Sequence, residues 1–264
     1  MGLYNKIAEL NEQNKSFVIA TVVKISGSVP GKVGFKMIVE QDGTSYGTVG
    51  GGAIEQEAIK ESLKLLSAGE GDTKEYILSD KADKSEGNVI PMSCSGKVWI
   101  YYEVHAQNPT VYVFGGGHVG NSLLHFLSAL PYHTILIDNR EEFAHKNKNP
   151  QAREIILSNY QEYVNRFSPK PDSYYVILTH GHTFDYQILQ TLYKRNVKAK
   201  YIGVIASKSK AKGMIEKLKN DVGDKVNLSI LHTPVGIKLG GDSASEIALC
   251  IAAEIQSIHY AKSD

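Results

Sequence analysis

The stretch Val111-Tyr112-Val113-Phe114-Gly115-Gly116-Gly117-His118-Val119-Gly120-Asn121-Ser122-Leu123-Leu124 decides how this chain is read. Its first residues form a short, unbroken apolar run, the pattern of a strand buried on both faces. The glycines at 115, 117 and 120 fit G-x-G-x-x-G directly after that strand, and a helix is predicted to follow over 118–129. Gly115 permits the tight turn, Gly117 lets backbone N–H groups approach a phosphate, and Gly120 lets the helix pack closely on the strand. His118 stands at the helix start, where partial positive charge favours an anion. A second strand is predicted over 134–137. Asp138 ends it, eighteen positions after Gly120, where its carboxylate would accept hydrogen bonds from ribose hydroxyls. The rival reading is a tight strand–helix turn that binds nothing; a nucleotide or pterin phosphate is the preferred one.

Working outward toward the C-terminus, strand and helix continue to alternate. Strands are predicted over 154–157, 174–178, 201–205 and 228–231, and helices over 160–167, 184–195, 208–219 and 243–258. Repeated strand–helix order with short apolar strands implies a Rossmann-like, doubly wound parallel sheet covered on both faces. Toward the N-terminus the pattern is different. Leu3, Ile7 and Leu10 fall on one helical face, 17–25 reads as a strand, and 36–40 and 45–49 flank the hairpin turn Asp42-Gly43. A helix with Ile54, Ala58, Leu65 and Leu66 on its apolar side follows Gly50-Gly51-Gly52, strands are expected at 74–78 and 97–104, and 79–95 reads as a polar loop. The polar, proline-containing segment 105–109 separates the two patterns. The fold class is therefore α/β, with a smaller N-terminal α+β domain at 1–107 and a Rossmann-like domain at 108–264.

A formal net charge of +1 excludes the broad one-signed field that draws proteins to nucleic acid or an anionic membrane. Two cysteines, Cys94 and Cys250, are too few for a disulfide framework. The N-terminal residues lack a signal-type apolar run, and no segment has the apolar length of a membrane span. The expectation is a cytoplasmic protein with neither nucleic-acid nor membrane partners.

Other chemistry-bearing residues fall at predicted strand ends, where doubly wound folds bind ligands. Thr179-His180-Gly181-His182-Thr183-Phe184-Asp185 places two imidazoles and a carboxylate at one junction. His180, His182 and Asp185 are candidate metal ligands, although H-x-H in a loop fixes no third ligand. Helix capping by Asp185 or Thr183 is the structural rival, and contact of His180 with a ligand phosphate lies between. Ser207 is a predicted N-cap with Lys208 and Lys210 beside the open N–H groups, which suits either a bound anion or a solvated basic surface. Ser243 and Glu246 have capping-box spacing. Gly50, Gly51 and Gly52 require bare backbone, for close packing or for a second anion site, and Glu55 suits the dipole of the helix behind them. Cys94 has Lys97 near enough to favour a thiolate, whereas Cys250 reads as a small core hydrophobe.

Taken together these residues resemble the XdhC/CoxI family. The likeness runs through Gly27-Ser28, Pro30, Lys36-Met37, Gly47 to Gly52 with Glu55, and the cysteine loop at 94–96. It continues through the turn at 115–120, Asp138 with Arg140, Thr179-His180, His182 and Asp185, then Tyr201-Ile202-Gly203, Pro234-Val235-Gly236-Ile237, Gly240, Glu246-Ile247-Ala248 and Ala252-Ala253-Glu254-Ile255. The resemblance implies a binding protein and chaperone for the molybdenum cofactor, as molybdopterin or its dinucleotide form. It implies support for cofactor sulfuration with a cysteine desulfurase and for insertion into a xanthine-dehydrogenase-type molybdenum hydroxylase, in a carrier that is a homo-oligomer. The expected cofactor-binding residues are Gly50, Gly51, Gly52, Cys94, Gly115, Gly117, His118, Gly120, Asp138, His180, Ser207 and Lys208, with no catalytic residue. The runner-up is an NAD(P)-dependent oxidoreductase using the same nucleotide turn, with His180 or His182 as the acid–base group.

Overall fold

The computed structural model describes residues 2–79, 88–92, 94–223 and 226–261. The chain divides into two compact units, Met1–Gln107 and Asn108–Asp264.

The N-terminal unit comprises helix α1 (Leu3–Glu12), strands β1 (Phe17–Gly27), β2 (Lys36–Glu40) and β3 (Ser45–Gly47), helix α2 (Gly52–Ala68), and strands β4 (Asp72–Leu78), β5 (Val89–Ile90) and β6 (Gly96–His105). They form a sheet of order β3-β2-β1-β6-β4-β5. Period-2 alternation along β1 sends Val18, Ala20 and Val22 to the face that meets Ile54, Ala58 and Leu65 of α2. Phe17 and Ile19 go to the face beneath Leu10 of α1. The third strand ends at Gly47 rather than 49, and the predicted loop at 79–95 contains the short β5, paired parallel to β4. Residues 80–87 and 93 of that predicted loop lie outside the described residues.

The C-terminal unit runs β7 (Thr110–Phe114), α3 (His118–Ser128), β8 (His133–Asp138), β9 (Glu154–Leu157), α4 (Tyr160–Arg166), β10 (Ser173–Ile177), α5 (His182–Lys194), β11 (Ala199–Val204), α6 (Lys208–Val222), β12 (Leu231–His232) and α7 (Ala244–Tyr260). Its sheet has the order β12-β11-β10-β7-β8-β9, and every pair in it is parallel. Read from β9, that is the doubly wound order 3-2-1-4-5-6. Both faces are apolar. Val111, Val113, Leu136, Val176 and Tyr201 meet α3 and α7 on one side. Tyr112, Phe114, Ile137, Tyr175, Ile177 and Val204 meet α4, α5 and α6 on the other. The chain leaves β7 toward β8 and β9, then crosses back to β10 on the opposite side of β7. The resulting crevice at the carboxyl ends of β7 and β10 is where such folds bind ligands.

Two details depart from the sequence expectation. Helix α5 begins at His182, not 184, with Gly181 at its N-cap and no side-chain cap, so neither Asp185 nor Thr183 caps it. The last strand is residues 231–232 rather than 228–231. The other two predicted caps form. The Ser207 side chain accepts from the Lys210 amide, and Ser243 with Glu246 makes a complete capping box.

Candidate functional site

The glycine turn sits at the crevice, and its glycines do different things. Gly115 has φ +111°, and a Cβ there would lie 2.4 Å from the Leu178 carbonyl oxygen. At Gly120 a Cβ would meet the Gly115 carbonyl oxygen at 1.9 Å. These two are required by the backbone itself. Gly116 is locked as well: its amide donates to Asp138 Oδ2 at 2.7 Å, and its carbonyl accepts from Asn149 Nδ2 at 3.2 Å. Gly117, the N-cap of α3, is the exception, because a Cβ there would have nothing within 4 Å. The exposed His118 and then Val119 open the helix, at the end where an α-helix leaves its N–H groups without intrahelical partners. The turn thus presents an open, N–H-rich surface at 117–119 on a rigidly held base.

Asp138 has another part than the one expected. It is fully buried, and its carboxylate accepts from the Gly116 amide, the Arg140 amide (3.0 Å), Arg140 Nε (3.0 Å) and Arg140 Nη2 (2.8 Å). Four donors match the capacity of a carboxylate, so no lone pair is left for a ribose diol. Burial alone would raise its pKa, but the hydrogen bonds from Arg140 and Gly116 outweigh it and hold the carboxyl below the ordinary 3.8. The Arg140 guanidinium also lies 3.9 Å from the Phe143 ring centroid, which fixes its plane. Asp138 therefore ties the turn to the end of β8.

Beside this clamp Asn139 Oδ1 is buried without a hydrogen-bond partner. Such atoms are costly unless something meets them. Asn139 follows Asp138 in the chain, and Tyr160 opens α4 within electrostatic reach of Asp138. On the other side of the crevice Thr179 is buried and its hydroxyl donates to Asp185 Oδ1 at 2.6 Å. His180 is exposed, with its ring 5.2 Å from Phe184 and 6.5 Å from Tyr160. The sequence alone names Thr179 only within the family resemblance and does not single out Asn139 or Tyr160. Asn139 directly follows a strand end, and Tyr160 opens the helix after β9.

The metal candidates do not converge. His182 pairs with Lys210 and lies 3.5 Å from the buried Asp185, whose other oxygen takes Thr179, while His180 is set apart, tilted against Phe184 and Tyr160. Among the described residues no group of three or more His, Cys, Asp or Glu is placed to hold an ion. Ser207 and Lys208 lie exposed at the start of α6, with Ser207 committed to its cap.

In the N-terminal unit the glycine run has a packing explanation in part. Gly50 has φ +148°, and a Cβ there would lie 3.3 Å from the Gly31 amide nitrogen; a Cβ at Gly51 would touch the Met92 methyl at 3.4 Å. Gly52 has open space around it. Glu55 does more than favour the dipole: its Oε1 accepts from the Thr48 hydroxyl, which also accepts from the Gly50 amide at 3.0 Å. Cys94 is half-buried. Lys97, expected to activate it, is paired instead with Glu75 at 2.7 Å across β4 and β6. Cys250 is also half-buried, not fully in the core, and packs beneath Gly236.

The C-terminal unit is thus a Rossmann-type domain whose glycine turn leaves the backbone open at Gly117. Residues 111–255 match the model of the XdhC Rossmann domain, and residues 10–76 match that of the XdhC and CoxI family. The chain belongs to the XdhC/CoxI family. It is 26% identical to the uncharacterized protein YqeB of Escherichia coli (strain K12), over 98% of this chain and 46% of YqeB, so it spans less than half of that relative. It is 21% identical to a probable xanthine dehydrogenase subunit of Bacillus subtilis (strain 168), covering 97% of each. A crystal structure described as a xanthine dehydrogenase from Bacillus halodurans superposes with TM-score 0.54 at 20% identity, over 100% of this chain and 97% of that one, a likeness of fold. Among the described residues no helix is long and apolar enough to cross a membrane.

Proposed function

We propose that this protein is an accessory factor that binds the molybdenum cofactor and supports maturation of a xanthine-dehydrogenase-type hydroxylase. The observation that carries the reading is the open N–H surface at Gly117–Val119, placed at the strand-order reversal of an XdhC-type domain. The residues fit the group. Gly117, His118 and Val119 would take the phosphate end, and the partnerless Asn139 Oδ1 would meet the polar edge of the pterin. The exposed His180 would close the crevice side, and Lys208 would add positive charge. When bound, the cofactor supplies the molybdenum and sulfur that the client hydroxylase uses. This chain's part is to hold, orient and shield it from water. Within the N-terminal unit, Gly52 offers open backbone at the start of α2, and Cys94 is the thiol available for sulfur handling with a cysteine desulfurase. The filled carboxylate of Asp138 disfavours the rival NAD(P)-dependent oxidoreductase, because an NAD ribose would have to displace Arg140.

The test is delivery. Purified protein, loaded by co-expression with cofactor biosynthesis, is mixed with a cofactor-free hydroxylase, and recovery of xanthine oxidation is followed. Recovery that depends on this protein is expected. Equal recovery with free cofactor alone would remove the carrier role.

A further inference from the structure

Helices α5 and α6 enclose a cleft of about 530 Å³ that the reading above does not use. Its lining follows helical spacing on both walls: His182, Tyr186 and Gln190 from α5, and Lys210, Gly213, Lys217 and Asp221 from α6. We propose that this cleft binds a small phosphomonoester that also carries a hydroxyl group.

The anionic end is placed by His182 and Lys210. Lys210 Nζ donates to His182 Nε2 at 2.6 Å, so two basic groups meet with no carboxylate between them. Behind the ring, Asp185 Oδ2 is buried without a hydrogen-bond partner and lies 3.5 Å from His182 Nδ1. A proton on Nδ1 faces that carboxyl, which leaves Nε2 as the acceptor turned toward Lys210. A dianion arriving here changes the pairing. Lys210 redirects its N–H groups from the imidazole edge to the ligand. Lys217, whose Nζ lies 4.2 Å from the Tyr186 ring centroid, adds a second ammonium along the wall. The charged and titratable groups around His182 are Asp185, buried behind its ring, and Tyr186 on its own helix α5, with Lys210, Lys217 and Asp221 of α6 on the opposite wall. Among these Lys210 lies nearest the imidazole edge, at 2.6 Å.

The hydroxyl end is placed by Asp221. Tyr186 Oη and Gln190 Nε2 both donate to its Oδ2 at 2.7 Å, which fixes the carboxylate and leaves Oδ1 to accept from a ligand. Gly213 supports the same conclusion. It sits inside α6, where glycine is a poor helix former, yet a Cβ there would touch nothing within 4 Å. Packing does not require it, whereas a ligand lying against the helix backbone does.

Calorimetric titration of the full-length protein with ribose 5-phosphate, inorganic phosphate and ribose tests this. Ribose 5-phosphate should bind more tightly than phosphate, and ribose should not bind. Lys210→Met should weaken ribose 5-phosphate by about tenfold or more, the loss expected for one charge-assisted hydrogen bond. Asp221→Asn should weaken it while leaving phosphate unchanged. Gly213→Leu should raise the melting temperature and abolish binding, which separates occlusion from misfolding. Absence of ribose 5-phosphate binding, equal affinity for phosphate and ribose 5-phosphate, or full binding by Lys210→Met or Gly213→Leu would overturn the proposal.

Discussion

Replacing Gly120 by alanine would place a Cβ 1.9 Å from the Gly115 carbonyl oxygen, far inside van der Waals contact. The turn has little room to yield. Gly115 is held at φ +111° with the Leu178 carbonyl oxygen 2.4 Å from its own Cβ position, and Gly116 is fixed by Asp138 and Asn149. Overpacking of this kind costs about 1–3 kcal/mol and occasionally more, and the rigid neighbours argue for the upper end. The helix-propensity gain of alanine over glycine offsets about 1 kcal/mol, for a net loss of roughly 2 kcal/mol. At roughly 2–4 °C per kcal/mol for a chain of this size, the midpoint should fall by about 4–8 °C. Gly117→Ala is the matched control, since its Cβ meets open space, and it should melt within about 2 °C of the wild type. Scanning calorimetry of both variants reads the difference. An unchanged midpoint for Gly120→Ala, or an equal drop for Gly117→Ala, would refute the division of the turn into a packed base and an open lip.

Other outcomes follow from the same geometry. Asp138→Asn leaves Arg140 without its charged partner and should cost about 3 kcal/mol at pH 7. Because the folded pKa of Asp138 lies below the ordinary 3.8, its contribution is present above that value and lost as pH falls through the folded one. Urea titrations should therefore show the wild-type advantage shrinking below pH 4, and a constant gap would contradict the clamp. Glu254→Gln should lower stability by about 1–3 kcal/mol, because Glu254 Oε2 accepts from Tyr201 Oη at 2.6 Å and the Gly236 amide at 2.9 Å; an unchanged denaturation midpoint would make that network incidental. Cys94→Ala should leave the melting curve unchanged and reduce retention of co-expressed cofactor. Full retention would make Cys94 an ordinary loop residue.

The glycine turn and the doubly wound sheet are legible in the sequence because both rest on local patterns: short apolar strands, helical spacing, and glycines whose steric roles follow from the turn. The three predicted features at 207, 243 and 115–120 lie where a cap or turn dictates them. What stays hidden depends on contacts distant in the chain. Asn149 pins Gly116 from 33 positions away, and Lys210 reaches His182 across 28. Asp138 shows another limit. Its position fits a ribose acceptor, but the return of Arg140 onto it depends on a backbone turn after β8 that no spacing rule encodes. Lys97 is near Cys94 in sequence, yet strand pairing of β6 with β4 gives it to Glu75.

The glycine turn is proposed to carry the molybdenum cofactor. Native mass spectrometry of the protein co-expressed with cofactor biosynthesis tests it most directly, with Gly117→Val alongside. The wild type should carry the added mass of a pterin cofactor, while the variant, whose branched side chain fills the open lip without disturbing the fold, should fly without it. Wild-type protein devoid of cofactor, or an equal load on a folded Gly117→Val, would contradict the account.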